Sequence, residues 1–315
     1  MYILGIDIGG TKCAVITAEV TDGNITILSK HKCDTDLKIP AEEMIKKLID
    51  IADELLEIKP DAIGISCGGP LDSKKGIIMS PPNLPRWDNV EIVRLLEEHF
   101  GVKAKLQNDA NACAVAEWKF GAGKGLDNMI FLTFGTGLGA GLILGGKLYS
   151  GTNDNAGEIG HIRLDKFGPV GYGKAGSFEG FCSGGGISQL GYIKALEAVQ
   201  SGEYPAYFNK DMKPSDITAK TIAKADDEGD TTALEVYRIC GEYLGRGLAV
   251  LIDILNPQAI VIGSIFGRAH HLLWEHTKRI IEEEALPVSA RVCRVVPAEL
   301  GEGIGDYASI SIALE

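Results

Sequence analysis

The stretch FGTGLGAGLIL, residues 134–144, sets four glycines among its first eight residues, between apolar runs that read as strands. Glycine gives a core no side chain and loses more freedom on folding than any other residue, so this cluster needs a backbone reason. A bound phosphate is one. A turn without Cβ atoms lets several N–H groups converge on an anion. With its flanks, NMIFLTFGTGLGAGLILGGKLYSG (128–151) reads as strand, glycine turn, strand and a Gly145-Gly146 hairpin.

The same grammar opens the chain. YILGIDIGGTKCAVITAEVTDGNITILSK (2–30) predicts a strand ending at Ile8, a Gly9-Gly10 turn, a strand over 13–20, the Asp22-Gly23 hairpin signal and a strand over 25–28. Residues 40–58 carry Met44, Ile45, Leu48, Ile49, Ala52, Leu55 and Leu56 at helical spacing, behind Pro40 and the acidic Glu42 and Glu43. A short strand at 62–66, a helix at 91–100, a strand at 103–107 and a helix at 108–121, capped by Asn108 or Asp109, complete a β-α-β-α-β half. One unit therefore occurs twice. The remainder predicts helices at 187–200, 215–227, 230–255 and 268–285, with strands at 259–263 and 291–297.

Composition narrows the function. A chain of 315 residues suits two lobes, and 45% hydrophobic against 23% charged residues describes an ordered globular protein. A net charge of −12 without a basic patch argues against nucleic acid and against anionic membrane surfaces as partners. The seven cysteines are widely spaced with no C-x-x-C pair, and no apolar stretch is long enough for a membrane span, which points to reduced thiols in a cytoplasm.

In DIGGTK, Asp7 precedes the glycine turn and Thr11 and Lys12 follow it. A carboxylate beside a nest of N–H donors would repel phosphate unless Mg²⁺ stands between them. Asp7 is thus a candidate to hold Mg²⁺ directly or through water, with Thr11 and Lys12 reaching phosphate oxygens. The alternative is a plain tight hairpin with an exposed aspartate. A second glycine turn on a second strand pair favours a nucleotide gripped by both.

DIGGTK, LQNDANACAVAE (106–117), FGTGLGAG and GEIGH (157–161) stand in the order typical of the ROK family of sugar kinases and repressors, and the chain resembles that family over essentially its whole length. The resemblance implies an α/β, two-lobed actin/hexokinase-type (ribonuclease H-like) fold with a duplicated β-meander and a central cleft. The lobes would be 1–118, joined by the C-terminal helix 304–315, and a larger 119–303. It implies ATP and Mg²⁺ as cofactors, with Gly9, Gly10, Thr11, Lys12, Gly135, Thr136, Gly137 and Gly139 on the phosphates. The adenosine end would lie near IVIGSIFG (260–267), at Gly263. Asp109 becomes the general base for a hexose hydroxyl, most simply the 6-hydroxyl of glucose. Without the family, helix capping would be the ordinary reading of that residue. Asn83, Asn108, Asp109, Glu158, His161 and Glu179 match the family's sugar-binding positions. Kinases for N-acetylmannosamine, fructose, allose or a β-glucoside share these motifs, and a non-catalytic sugar sensor would share most of them. The resemblance also implies a homodimer or homotetramer.

Two departures matter. The family continues from GEIGH to a structural zinc site with a CxCGxxGCxE pattern, whereas VGYGKAGSFE (170–179) puts Val170, Tyr172 and Ser177 at the cysteine positions. His161 alone cannot complete a four-ligand site, so no zinc is expected. An apolar cluster of Val170, Tyr172 and Phe178 is expected to hold Glu179 and His161 instead. The DIGGTK motif also begins at residue 7, which leaves no room ahead of it for the winged helix of the family's repressors.

Overall fold

The run YILGIDI forms β1 (Tyr2–Ile8), the middle strand of a five-stranded sheet, and its near-continuous apolarity reflects burial on both faces. The computed structural model describes residues 1–209 and 211–315. By internal contacts the chain divides into two units, Met1–Asp127 with Gly141–Ala156 and Glu299–Glu315, and Asn128–Ala140 with Gly157–Ala298.

In the first unit β1 is followed by β2 (Lys12–Thr21), β3 (Asn24–Asp34), α1 (Ala41–Leu55), β4 (Ala62–Cys67), β5 (Leu71–Asp72) and β6 (Ile77–Ile78). Then come α2 (Ile92–Phe100), β7 (Ala104–Asn108) and α3 (Asp109–Phe120). The sheet order is β3-β2-β1-β4-β7, with β1 parallel to β4, β4 parallel to β7 and the first three strands an antiparallel meander. Met44, Ile45, Leu48 and Ala52 of α1 pack with Leu4, Ile6, Trp87 and Leu96 in one cluster, as the helical spacing predicts.

The second unit runs from β8 (Met129–Phe134) through β9 (Leu138–Ile143), β10 (Val170–Gly171), β11 (Lys174–Ala175), α4 (Phe178–Phe181), α5 (Gly184–Gln200) and α6 (Ala219–Asp227). It continues with α7 (Thr231–Leu255), β12 (Ala259–Ile262), α8 (Ile265–Arg268), α9 (His270–Glu284), α10 (Pro287–Ala290) and β13 (Arg294–Pro297). Its four-stranded sheet has the order β13-β12-β8-β9, and within β9 the chain passes from the second unit into the first. Among the described residues, no helix is long and apolar enough to cross a membrane.

The last helix, α11 (Ile304–Ala313), belongs to the first unit and lies on the sheet face opposite α1, where Ile310 and Ala313 join Ile3, Ile16 and Ala18. It approaches closely because β1 and β4 present glycine there. A Cβ on Gly5 would stand 2.5 Å from Ser309 Oγ, and one on Gly64 would overlap the Ser309 carbonyl and lie 2.7 Å from Ala313 N.

The structure departs from the sequence expectations at several places. The first unit extends beyond residue 118, because Glu117 is wholly buried and its carboxylate accepts from Ala122 N at 2.9 Å and Leu300 N at 2.9 Å, tying both segments to α3. Strand β3 is eleven residues long. The second meander lacks such a third strand: beyond the Gly145-Gly146 turn there is only an Ile143–Leu148 bridge, since the following YSGTNDN is built of turn formers. Helix α5 starts at Gly184, ahead of the expected 187, because the Ser183 hydroxyl caps Gly186 N at 2.9 Å.

Replacing Gly64 by Val should lower stability by about 1–3 kcal/mol, through overpacking against α11. Gly267→Ala, where a Cβ meets nothing within 4 Å, should leave the urea midpoint essentially unchanged. Equal midpoints for the two variants would refute the packing argument.

Candidate functional site

Three parallel strands of the first unit end together. Asp7 of β1 pairs in register with Ser66 of β4, and Cys67 pairs with Asn108 of β7. Ligands of α/β sheets gather at such carboxyl ends. Asp109, the next residue, is the first of α3, and the cap is Asn108, whose Oδ1 accepts from Ala110 N at 3.0 Å. The capping role is thus filled without Asp109. One oxygen of Asp109 accepts from Ala110 N at 2.8 Å, which leaves the other for chemistry.

Asp7 is largely desolvated and has Asp109 nearby, and these two effects push its pKa up to about 6 against a favourable hydrogen bond from Ser66. Asp109 keeps an exposed face, yet desolvation by the protein around it raises its pKa, opposed by backbone N–H groups at the helix start. Lys30 pairs with Asp306 of α11, and both act electrostatically on Asp7. A Cβ on Gly305 would stand 3.7 Å from Asp7 Oδ2, which places the first turn of α11 beside this carboxylate.

The DIGGTK turn closes through Gly9 N to Lys12 O at 3.0 Å, and Thr35 Oγ1 donates to Gly9 O at 2.7 Å. Thr11 and Lys12 are exposed. Asn83 rests directly on Gly10, where a Cβ would meet Asn83 Cβ at 2.6 Å. Four features went unread in the sequence: Lys30, Asp306, the glycine-rich helix start SGGG (183–186) and Gln107. The Oε1 of Gln107 accepts from Asn108 N at 2.8 Å and Asn111 Nδ2 at 3.1 Å, so it braces the segment that carries Asp109. Polar residues on both sides of Asn108 and Asp109 were the available signal.

In the second unit the FGTGLG turn joins β8 to β9, with Gly135 N donating to Gly137 O at 3.0 Å. The first N–H of α5, from Gly184, donates to Gly135 O at 2.7 Å. Thr136 is exposed, and Gly139 lies in β9. Glu179 of α4 is fastened to this turn, its Oε2 accepting from Leu138 N at 3.0 Å, and the missing Cβ of Gly137 makes room for it. Glu158 and His161 bracket a single 3₁₀ turn, with His161 N donating to Glu158 O at 3.2 Å. Both are exposed, on the same side of the turn. Gly263 follows β12, its N–H donating to Leu132 O at 2.9 Å. Each unit thus joins its expected phosphate turn to an expected sugar residue: Gly10 to Asn83 in one, Leu138 to Glu179 in the other.

Asp7 and Asp109, beside exposed Thr11 and Lys12, form a donor set that suits Mg²⁺, which binds through one or two carboxylates together with substrate phosphates. Zinc is not suited. Near His161 the chain offers Val170, Tyr172 and Ser177, and the nearby Cys182 is buried with its Sγ donating to Cys240 O at 3.5 Å. The residues expected to stand in for that metal do not form one apolar cluster, although the Tyr172 ring packs edge-on against His161 at 6.2 Å between centroids. Val170 is 46% and Tyr172 76% exposed, and only Phe178 is buried, against Gly247 of α7.

A model of the ROK family matches residues 3–314. The glucokinase of Thermotoga maritima is 31% identical, over 100% of this chain and 98% of that protein. The xylose repressor of Bacillus spizizenii is 27% identical over 100% of this chain, which spans 77% of the repressor. Among solved structures, a ROK family glucokinase from Streptomyces griseus, crystallised with glucose and AMPPNP, superposes with a TM-score of 0.79 at 29% identity, covering 100% of this chain and 99% of that one.

Asp7 carries a pH signature in the ligand-free protein. Its pKa is raised on folding to about 6, so its contribution is present below the unfolded carboxylate pKa and is lost as pH rises through about 6. Between pH about 4 and 6 the wild-type protein should lose on the order of 2 kcal/mol relative to Asp7→Asn. Denaturant midpoints of both proteins across that window test this, and parallel curves would show that Asp7 titrates normally.

Proposed function

The chain belongs to the ROK family and is a sugar kinase; we propose that it transfers the γ-phosphoryl group of ATP to the 6-hydroxyl of glucose or a close relative. The observation that carries this reading is the placing of Asp109. It stands at the carboxyl end of β7, beside the helix cap Asn108 and with one oxygen on Ala110 N, close enough to Asp7 to raise the pKa of that carboxylate.

In this reading Asp109 accepts the proton of the attacking hydroxyl, and Asn108 and Asn83 hold neighbouring hydroxyls. Sugar hydroxyls both donate and accept, so carboxylates, amides and an imidazole together suit a hexose. Glu158, His161 and Glu179 belong to that set, and one oxygen of Glu179 is already taken by Leu138 N. The N–H groups of Gly9, Gly10, Gly135, Thr136, Gly137 and Gly139, with Thr11 and Lys12, hold phosphate oxygens, and the adenosine end lies toward Gly263. Asp7 holds Mg²⁺, whose charge neutralises the polyphosphate when bound. ATP and Mg²⁺ are the cofactors of this reading, the chain works as a homodimer or homotetramer in the cytoplasm, and the net charge of −12 disfavours nucleic acid and membrane partners.

A sugar sensor without catalysis is the second reading, favoured by the repressor likeness. It gives no reason for two carboxylates with raised pKa values beside the DIGGTK turn, which a Mg-nucleotide site does. Both carboxylates must ionise to work, so kcat/KM should fall on the acid side.

The test is an ADP-release assay with Mg-ATP against glucose, mannose, fructose, allose, N-acetylglucosamine and N-acetylmannosamine. Asp109→Asn should lower kcat by about 10²–10⁴-fold, the usual worth of a positioned base, with sugar binding retained in calorimetry. Near-normal turnover of the variant would reject Asp109 as the base, and a wild-type chain that binds sugar without consuming ATP would establish the sensor.

A further inference from the structure

The loop that carries Glu179 contains a two-stranded ribbon, β10 with β11, paired at only two positions, Val170 with Ala175 and Gly171 with Lys174. A ribbon that short has no independent stability in water. Its outer strand is held from outside. Arg163 Nη1 donates to Ala175 O at 2.7 Å, and Lys174 Nζ donates to His161 O at 2.6 Å. Before the ribbon, Tyr243 Oη donates to Asp165 Oδ2 at 2.5 Å, and Phe181 stacks on the Tyr243 ring with centroids 3.5 Å apart.

The inner strand, β10, is held by Gln189, on the second turn of α5. Its Oε1 accepts from Val170 N at 3.0 Å and its Nε2 donates to Val170 O at 2.8 Å. The side-chain amide thus engages both polar groups of one residue, as a neighbouring strand would. The next residue, Gly171, lies against Glu179: a Cβ there would stand 2.8 Å from Glu179 Cβ and 2.6 Å from Gly180 N. Ser177, fully buried, caps α4 through Gly180 N at 3.1 Å and donates to Gly171 O at 3.4 Å. A shift of residues 170–171 is therefore a shift of Glu179.

We propose that Gln189 is a positioning residue for sugar binding: by clamping the Val170 peptide to α5 it fixes Gly171, and through it the carboxylate of Glu179. The clamp is a direct hold on this loop where the loop itself carries no cysteine, beside the buried Phe178 and the Tyr172 ring packed edge-on against His161. The proposal rests on the kinase reading with Glu179 on the sugar.

The experiment compares wild-type protein, Gln189→Ala and Gln189→Glu with glucose, or with whichever of the six sugars the wild type phosphorylates fastest. Losing two hydrogen bonds that orient a binding carboxylate should raise the sugar KM of Gln189→Ala about tenfold, with kcat within about twofold and the KM for ATP unchanged. Calorimetric sugar affinity should fall by the same factor. Gln189→Glu keeps an acceptor for Val170 N but loses the donor to Val170 O, so it should fall between. Thermal midpoints of the three proteins should agree closely and be insensitive to a chelator, because the side chain is exposed and the loop needs no metal. A wild-type sugar KM in Gln189→Ala, or a fall in kcat at unchanged sugar affinity, would overturn the proposal and leave the kinase reading intact. A wild-type chain inert toward every sugar would remove both.

Discussion

Close approach of backbone to backbone, made possible by glycine at a few positions, is the constraint on which the rest depends. At Gly64 it lets α11 sit directly on the sheet of the first unit, and the start of that helix comes to lie beside Asp7. At Gly10 it lets the loop carrying Asn83 rest on the DIGGTK turn, and at Gly137 it lets the carboxylate of Glu179 reach the N–H of Leu138. Added methyl groups would not merely cost packing. They would push the expected phosphate turns away from the expected sugar residues at these points of contact.

Charge is arranged on that frame with a purpose visible in its imbalance. Asp7, Asp109 and Asp306 act on one region of the first unit, and Lys30 is committed to Asp306. Negative charge that is desolvated and incompletely paired raises carboxylate pKa values and destabilises the ligand-free protein. In the proposed reading it is this charge that would receive Mg²⁺. Buried Glu117 shows the opposite arrangement, because Ala122, Glu299 and Leu300 supply backbone donors to its carboxylate. Fully satisfied, it serves the fold. The two kinds of carboxylate differ in their partners and in their exposure, since Glu117 is fully buried whereas Asp7 is half-buried and Asp109 exposed.

Much of the fold was legible. The helical spacing of Met44, Ile45, Leu48 and Ala52, the paired glycine turns and the β-α-β alternation act over a few residues, and they appear in the structure as elements of the expected kind. Element ends were less legible where a cap or a partner strand decides them. Helix α5 begins early because of the Ser183 hydroxyl, and β3 runs to Asp34 because β2 is there to pair with it. The loop at 170–179 was misread for the same reason. Its residues look apolar enough to cluster, yet Val170 and Tyr172 point outward and an exposed glutamine on α5 holds the strand.

The sequence alone determined the family, the two glycine turns, the aspartate at the head of α3 and the lack of cysteine in the stretch 170–179. Each of these is a statement about residue types at short spacing. Only the tertiary structure decided that Asn108 and not Asp109 caps the helix, that Lys30 and Asp306 surround Asp7, and that Glu179 answers to Leu138 and Gln189. Which donor meets which carboxylate depends on contacts between segments tens to hundreds of residues apart. A hydrogen bond of about 3 Å is set by the packing of whole elements, and no local pattern encodes it.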